Sequence, residues 1–182
     1  MKKKNGNNLF SSTNSQKILS FLVDKPEKEF LAKEIQKATT ISKAGVYVAL
    51  AELVRQGLVY KKGKGRSLIY TPNSDDPLIK QFKAFKNVLL MRTALSKLKA
   101  VSKKIILYGS ASRGEDTGES DIDFFIVSHK PDAVKDVLAS LKTKRKLQAV
   151  VKTPTEISEF KSKEQVYWKE VERGIVLWEE KE

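Results

Sequence analysis

The sequence predicts an α+β protein made of two small domains that a long helix connects. Three features predict this fold class: a helix-rich first part that ends in a basic hairpin, a stretch of helical character without Gly or Pro after Pro77, and a last part in which short apolar strands alternate with helices. A chain of 182 residues is long enough for two such domains, each with a modest core.

The composition is that of an ordinary globular chain, with 40% hydrophobic and 31% charged residues. No stretch reaches the roughly 18 to 20 uncharged apolar residues that a membrane span needs. The basic start Met1–Lys4 is followed by the polar residues 5–8, where a signal peptide would have an apolar segment. The sequence therefore predicts a cytoplasmic protein without a membrane partner. The absence of cysteine excludes disulfides, cysteine-ligated zinc and thiol catalysis.

The formal charge of +13 is concentrated in the first part of the chain. Residues 1–72 contain 14 Lys and Arg against 5 Asp and Glu, whereas residues 73–182 contain 21 against 17. A basic segment of this kind predicts a polyanionic partner, for which DNA or RNA is the usual candidate. The alternative is a lysine-rich surface that only keeps the protein soluble.

Residues 1–12 are predicted to form a disordered basic tail, and residues 13–72 a domain of three helices and a hairpin. Apolar spacing, caps and breakers define the helices. The predicted elements are a helix capped by Ser15 that runs to about Asp24 before Pro26, an extended segment Glu29–Leu31, a helix Ala32–Ala38, and a helix capped by Ser42 that runs to about Gln56 before Gly57. Two strands, Leu58–Lys61 and Ser67–Thr71, are predicted on either side of the basic turn Lys62–Arg66.

The third helix has one apolar face and one mixed face. Val46, Leu50, Leu53 and Val54 recur at helical spacing behind Ile41, so they are predicted to belong to the core. The residues that fall largely on other faces are Lys43, Ala44, Tyr47, Val48 and Arg55.

The order of helix, helix-turn-helix and basic hairpin resembles a winged helix over residues 15–72. The resemblance implies that the third helix lies in the major groove of double-stranded DNA, with its N-terminal residues Ser42, Lys43 and Tyr47 near the bases. It also implies phosphate contacts from the hairpin, made by Lys61, Lys62, Lys64 and Arg66. The alternative use of a winged helix is protein contact, in which case these charges are only solvated.

Residues 73–101 are predicted to form the connecting helix, because Asn73–Asp76 supply N-cap candidates and Pro77 suits the first helical position. The apolar stripe of this helix consists of Leu78, Phe82, Phe85, Leu89, Leu95 and Leu98. The stripe either packs on the domains or forms a dimer seam, and the sequence does not separate these options. A homodimer is expected because operator-like palindromes are usually read by dimers.

Two aspartates stand at the start of a strand in the last domain, residues 102–182. The apolar strand 124–127 follows Ser120-Asp121-Ile122-Asp123 directly. Since alternate side chains of a strand share a face, Asp121 and Asp123 are predicted to project together. Two carboxylates in this arrangement form an oxygen site suited to Mg²⁺.

A glycine-serine pair precedes these aspartates, after the buried strand Lys104–Tyr108. Gly109 would let a phosphate approach the backbone closely. The amide and hydroxyl of Ser110 would hold that phosphate, and Arg113 is near enough in sequence to add positive charge. The pair therefore predicts a phosphate site that faces the aspartates.

This order of elements resembles the minimal nucleotidyltransferases of the DNA polymerase β superfamily over roughly residues 102–179. The resemblance implies a mixed β-sheet flanked by helices, and transfer of a nucleoside monophosphate from an NTP to a hydroxyl with two metal ions held by carboxylates. Asp121 and Asp123 would be the catalytic metal ligands. The nucleotide-binding residues would be Gly109, Ser110, Arg113 and Ser120.

The sequence departs from that family at the third carboxylate, which active members carry on the next strand. The corresponding strand, Lys146–Lys152, contains no acid, and Gln148 is expected to occupy the position. Glu156 and Glu159 lie beyond Pro154 and would have to fold back to replace it. Three further acids, in the loop between Ser110 and Ser120, are predicted to be exposed to solvent: Glu115, Asp116 and Glu119.

Three hypotheses follow for the whole chain. The first is a DNA-binding transcriptional regulator whose nucleotidyltransferase-fold domain binds an NTP with Mg²⁺ and has reduced or lost catalysis. The second is an active nucleotidyltransferase that modifies a protein or nucleic-acid hydroxyl, with a partner protein as in toxin–antitoxin pairs, and that its winged helix targets. The third is an assembly module that uses both folds for protein contacts.

Overall fold

The computed structural model describes residues 13–143 and 145–181. It divides into two compact units, Met1–Gln81 and Phe82–Glu182, so the division falls inside the segment 73–101 predicted as a connecting helix. The predicted tail, residues 1–12, lies outside the described residues. Helices occur together with two sheets, which is an α+β architecture. No helix in the described ranges is both long and apolar enough to cross a membrane.

The first unit contains three helices and a three-stranded antiparallel sheet. Its elements are α1 (Asn14–Leu22), β1 (Phe30–Leu31), α2 (Ala32–Thr39), α3 (Lys43–Arg55), β2 (Val59–Lys64) and β3 (Ser67–Pro72). The strand order is β1-β3-β2, so the short first strand pairs with the last one. Buried side chains from all three helices form the core, among them Ile18, Leu22, Ile35, Val46, Leu50 and Leu53.

Capping residues determine where the helices begin. Thr13, not Ser15, caps α1, because the Thr13 hydroxyl accepts a hydrogen bond from the Gln16 amide at 3.1 Å and the Gln16 side chain accepts one from the Thr13 amide at 3.2 Å. This reciprocal capping box places Ser15 inside the helix, and the sequence-based cap is wrong by two residues. Ser42 caps α3 as predicted, and its hydroxyl accepts from the Gly45 amide at 3.2 Å.

The hairpin has longer strands and a shorter turn than the sequence predicts. Lys64 pairs with Ser67, so only Gly65 and Arg66 form the turn. Gly65 has a φ of 60°, as a two-residue hairpin turn requires. The predicted five-residue turn Lys62–Arg66 is therefore wrong. Lys62 and Lys64 are strand residues, and because they are two residues apart their side chains share one face of the hairpin.

Most of the predicted core face of α3 is confirmed. Val46, Leu50 and Leu53 are buried, together with Ile41 ahead of the helix. Val54 is only partly buried. The buried face also includes Ala49, which the sequence pattern did not single out.

The second unit is built around a mixed four-stranded sheet. Helix α4 (Pro77–Leu98) begins before the division between the units and continues into a short 3₁₀ turn at Lys99–Val101. The elements that follow are β4 (Lys104–Tyr108), α5 (Gly109–Arg113), β5 (Ile122–Val127), α6 (Pro131–Ser140), β6 (Leu147–Lys152), α7 (Glu156–Lys163), α8 (Gln165–Glu172) and β7 (Ile175–Glu179). The strand order is β6-β5-β4-β7. Strands β5 and β6 are parallel, whereas β4 is antiparallel to β5 and to β7.

The side chains on the two faces of the sheet belong to two separate cores. One core contains Leu98 of α4 and Val134 of α6 packed with Leu107 and Phe124 of the strands. The other core combines strand residues with Val171 of α8. Strands β4, β5 and β6 pair without a register shift, so residues opposite one another on these strands share a face, and this rule decides which side chains meet at the candidate site.

The predicted stripe of α4 is only partly right. Leu95 and Leu98 are buried, but Leu78 and Phe85 are 59% and 41% exposed. The buried residues in this half of the helix are instead Ile79, Lys83, Ala84, Asn87 and Met91. The reason is that the polar side chains of Lys83 and Asn87 turn inwards to contact a buried carboxylate, which an apolar pattern cannot reveal.

Candidate functional site

The carboxylate of Asp123 lies against Gly109, where strand β4 passes into helix α5. Tyr108 and Asp123 are opposite each other in the β4–β5 pair, and Gly109 follows with a φ of 71°. A Cβ atom at Gly109 would stand 2.8 Å from Oδ2 of Asp123, closer than real Cβ contacts come. Glycine is therefore required twice here, by the left-handed backbone and by the adjacent carboxylate.

The two aspartates lie on one face at the start of β5. Ile122 between them is buried in the first core, so Asp121 and Asp123 are directed to the opposite face. Burial raises the pKa of the Asp123 carboxyl, the negative charge of Asp121 raises it further, and the Arg145 guanidinium acts in the opposite direction. Two carboxylates that repel each other in a partly buried space favour a cation between them.

Gln148 stands at the position predicted for it, beside the aspartates. In the parallel β5–β6 pair Gln148 is in register with Asp123, and its amide nitrogen donates a hydrogen bond to Oδ2 of Asp121. The Lys146 ammonium lies 3.6 Å from the same oxygen. Oδ2 of Asp121 is therefore close to two donors, one from β6 and one from the residue before it.

The acids beyond Pro154 are engaged within their own helix, α7. The Glu156 carboxylate accepts hydrogen bonds from the amide and the hydroxyl of Thr153, at 2.7 Å and 2.8 Å. The Glu159 carboxylate forms an ion pair with Lys163 at 2.6 Å. These contacts leave Gln148 as the residue at the third position.

Arg113, the predicted phosphate ligand, is paired with two acids. Its Nε donates to Glu115 at 2.7 Å, and its Nη1 forms an ion pair with Glu170 of α8. Ser110 precedes it in the first turn of α5 and is partly exposed, and its carbonyl accepts a hydrogen bond from the Glu115 amide at 3.0 Å. Arg113 thus lies close to the glycine-serine turn, with its charge already compensated.

Ser120 and Asp116 both stabilise the loop between Gly109 and Asp121. The Ser120 hydroxyl accepts a hydrogen bond from the Thr117 amide at 2.9 Å and therefore closes the end of the loop. Asp116 is only 4% exposed, so the prediction that it faces solvent is wrong. Glu115 and Glu119 are exposed, as predicted.

A buried charge network explains the burial of Asp116. The Asp116 carboxylate accepts hydrogen bonds from Asn87 at 2.9 Å and from Arg145 at 2.7 Å, and the Lys83 ammonium lies 3.9 Å away. The Lys83 ammonium also donates to the Asp116 carbonyl. Hydrogen-bond donors and cations therefore offset the cost of burying this carboxylate.

Arg145 connects this network to the start of strand β5, where Asp121 and Asp123 lie. Arg145 was not identified from the sequence. Its guanidinium donates to the carbonyls of Ser120 at 2.7 Å and Asp121 at 3.2 Å while it holds the Asp116 carboxylate. One planar side chain therefore fixes the backbone from which the Asp121 carboxylate projects. The only sequence signal was the position of Arg145 just before the strand that carries Gln148.

Tyrosines extend the site on the Asp123 face of the sheet. Tyr108, opposite Asp123, shares a hydrogen bond between hydroxyls with Tyr167 of α8, and their rings meet edge to face. Burial raises the pKa of the Tyr108 hydroxyl, as does the hydrogen bond with Tyr167. Tyr108 is therefore neutral, and its contact with Tyr167 brings α8 to the edge of the site.

Magnesium fits the two aspartates if the ion arrives with a nucleotide. Within residues 13–143 and 145–181 no group of three or more His, Cys, Asp or Glu is arranged to hold a metal by itself. Mg²⁺ usually binds through one or two carboxylates together with substrate phosphates. Asp121 and Asp123 supply the carboxylates beside the Gly109 backbone, and the amide at Gln148 is a weaker, neutral ligand.

The first unit presents the predicted DNA-contact residues on its surface. Lys43 and Tyr47 of α3 are exposed, Tyr47 by 49%, and Ser42 serves as the N-cap. In the hairpin Lys64 forms an ion pair with Glu29 at 2.7 Å. The remaining hairpin cations make no ion pair with any described residue: Lys61, Lys62 and Arg66.

Comparison with known proteins gives one family match. The model of the family described as polymerase beta, nucleotidyltransferase matches residues 91–182. A search among curated proteins found no match. A solved structure of TrmBL2, an archaeal chromatin protein described as showing a novel mode of DNA binding, is 11% identical to this chain. The match covers 88% of this chain and 71% of that chain, and its TM-score of 0.29 is too low to indicate a shared fold.

The match spans half of the chain and contains every element of the candidate site from β4 to β7. It includes the glycine-serine turn, both aspartates and the strand that carries Gln148. The geometry and the comparison therefore agree, and the chain belongs to the polymerase beta nucleotidyltransferase family.

Proposed function

We propose that this protein is a DNA-binding transcriptional regulator whose nucleotidyltransferase domain binds an NTP with Mg²⁺ and has reduced or lost nucleotide transfer. One observation carries the nucleotide part of the proposal: the Asp123 carboxylate lies against the Gly109 backbone, on the same face as Asp121, while Gln148 occupies the third position. The residues proposed to bind the nucleotide and the metal are all present. The position from which a third carboxylate would activate the acceptor hydroxyl is occupied by Gln148, which is not an acid.

In this proposal the triphosphate lies along the glycine-serine turn. The Gly109 backbone lets it approach, the Ser110 amide and hydroxyl bind its oxygens, and Arg113 adds a guanidinium contact. Asp121 and Asp123 would hold the Mg²⁺ ion, which neutralises phosphate charge when it is bound. Arg145 keeps the Asp121 backbone in place from behind.

Transfer requires a group that orients and deprotonates the acceptor hydroxyl, and Gln148 is unsuited to that task. A carboxamide is neutral, binds metal more weakly than a carboxylate, and cannot accept a proton as a base. In this protein the amide of Gln148 donates to Asp121 instead. Binding without efficient transfer is the result that this chemistry supports.

Incubation of the full-length protein with α-labelled ATP and Mg²⁺ tests this part of the proposal. We expect ATP to be retained on a filter with the wild type, to be lost with Asp121→Ala and to be unaffected by Glu119→Ala, an exposed acid of the same loop. No label should become covalently attached to protein or nucleic acid. Covalent labelling by the wild type that Asp121→Ala abolishes would instead establish an active nucleotidyltransferase.

The DNA part of the proposal rests on the first unit, which has the element order of a winged helix. Helix α2, a tight turn and the capped helix α3 precede a hairpin rich in exposed cations. In a winged helix α3 would enter the major groove, and the hairpin would contact phosphates. The basic balance of residues 1–72 is consistent with this partner.

Fluorescence anisotropy with a labelled DNA duplex at several salt concentrations tests this part. Replacement of Lys61, Lys62 and Arg66 by alanine should weaken binding and make the slope of log affinity against log salt shallower by about 0.9 for each phosphate that is no longer neutralised. The matched control replaces three exposed lysines of the same unit, Lys17, Lys25 and Lys37. Equal effects of the two triple variants would mean that the hairpin has no particular role.

A further inference from the structure

Helix α3 presents an outward face that carries few hydrogen-bonding groups. Val48 is 71% exposed, and Ala44 and Ala51, which fall on the same side at helical spacing, are exposed as well. The buried face of the helix, with Val46 and Leu50, points the other way. Small and apolar side chains therefore occupy the centre of the surface that α3 offers to a partner.

Polar groups surround this apolar strip on α3. Lys43 and Tyr47 lie along one edge of the exposed face and can donate hydrogen bonds. Arg55, towards the C-terminal end, is engaged with Glu52 at 2.7 Å, so its charge is compensated. The strip itself, defined by Ala44, Val48 and Ala51, has neither a donor nor an acceptor in its side chains.

The chemistry of the strip matches one feature of the major groove. Among the groups that base pairs display there, the C5-methyl of thymine is the only methyl group, and alanine and other apolar side chains contact it. Small side chains at the centre of a helix face also allow the backbone to approach the floor of the groove closely. A protein partner would meet the same strip, but the exposed cations of the following hairpin, Lys61, Lys62 and Arg66, favour a polyanion.

We propose that α3 selects thymine-containing DNA through contacts of Val48, flanked by Ala44 and Ala51, with thymine methyl groups. The proposal rests on the proposed DNA-binding function and adds the class of base that the helix reads. Burial of one methyl group on an apolar side chain is worth about a fourfold change in affinity. The expected preference is therefore small for a single contact and larger if several methyl groups are buried.

Replacement of thymine by uracil tests the proposal, because it removes only the methyl group. Anisotropy is measured for the full-length protein with alternating dA-dT and dA-dU duplexes of equal length, well below their melting temperatures. The wild type should bind the thymine duplex at least about fourfold more tightly. Val48→Ala should reduce that ratio, whereas Val166→Ala, at a valine of α8 that is 86% exposed, should leave it unchanged.

The outcomes distinguish this proposal from the function on which it rests. Equal affinity of the wild type for the two duplexes overturns thymine reading and leaves DNA binding intact. A failure to bind any duplex overturns both. An unchanged thymine-to-uracil ratio in Val48→Ala, combined with a change in sedimentation of the protein alone, would identify the strip as a protein contact and would also overturn the proposal.

Discussion

Glu170 of helix α8 forms an ion pair with Arg113, which lies three residues after Ser110 of the glycine-serine turn. Glu115 binds the other side of the same guanidinium at 2.7 Å. Both contacts are partly exposed, with side-chain exposures of 35% to 41% for the three residues. The cation that would contact a triphosphate is thus held by two carboxylates, with which the phosphate must compete.

Glu170→Gln should therefore strengthen NTP binding. Removal of a carboxylate that competes for Arg113 should raise the affinity about two- to fivefold, the range expected for a solvent-exposed ion pair. The measurement is a titration with ATP and Mg²⁺ at low salt. Glu172→Gln, which makes the same charge change at an exposed position of the same helix, controls for net charge. A weaker affinity in Glu170→Gln would mean that Glu170 orients Arg113 for the phosphate.

Gly109→Ala should abolish nucleotide binding and destabilise the fold. An alanine must adopt the left-handed backbone at a cost of about 1 to 2 kcal/mol. It must also displace Asp123, because its Cβ would lie 2.8 Å from the carboxylate. Gly65→Ala is the matched control, since its φ of 60° is similar and nothing lies within 4 Å of its Cβ position. Unimpaired ATP binding by Gly109→Ala would contradict the proposed triphosphate site at the glycine-serine turn.

Arg145→Gln should destabilise the protein by about 3 to 5 kcal/mol, the usual cost of breaking a buried ion pair from one side. The side chain of Arg145 is 16% exposed and that of its partner Asp116 5%, so the carboxylate would lose its nearest cation where water has little access. Urea unfolding measures the effect. Arg173→Gln, at an exposed arginine, should change stability little. An effect of Arg145→Gln no larger than that of the control would remove Arg145 from the support of the aspartate strand.

Asp121→Asn should lower the pKa of Asp123 in the metal-free protein, because the charge of Asp121 is the second cause of its elevation after burial. A raised carboxyl pKa in the folded state means that ionisation opposes folding. That penalty is absent at low pH and is complete once the pH has risen through the raised pKa. Carboxyl chemical shifts of Asp123, followed by NMR during a pH titration, measure the change. An unchanged pKa would show that the two carboxylates do not interact.

The sequence predicted the parts of the site that depend on local spacing. Asp121 and Asp123 share a face because they alternate along β5, and Gln148 meets them because the parallel strand β6 keeps its register. Ser42 was also recognisable as the N-cap of α3, because it directly precedes the apolar spacing of that helix. Patterns of this kind involve neighbouring residues or neighbouring strands.

The parts that escaped prediction depend on contacts between distant segments. Lys83 and Asn87 look like outward polar residues of a helix, and only the folded chain brings them to Asp116, about 30 residues later. Of the two acids that hold Arg113, Glu170 lies 57 residues further along the chain, so this contact was not visible in the local sequence. Buried polar side chains that hydrogen-bond to one another do not produce the apolar spacing from which burial is predicted in a sequence.

Calorimetric titration of the full-length protein with ATP in the presence of Mg²⁺ tests the central claim most directly. The wild type should bind one ATP, and Asp123→Asn should weaken the affinity at least tenfold, whereas Asp132→Asn, at an aspartate whose side chain is 92% exposed, should not. Equal affinities of the wild type and Asp123→Asn, or no binding by the wild type, would contradict the account.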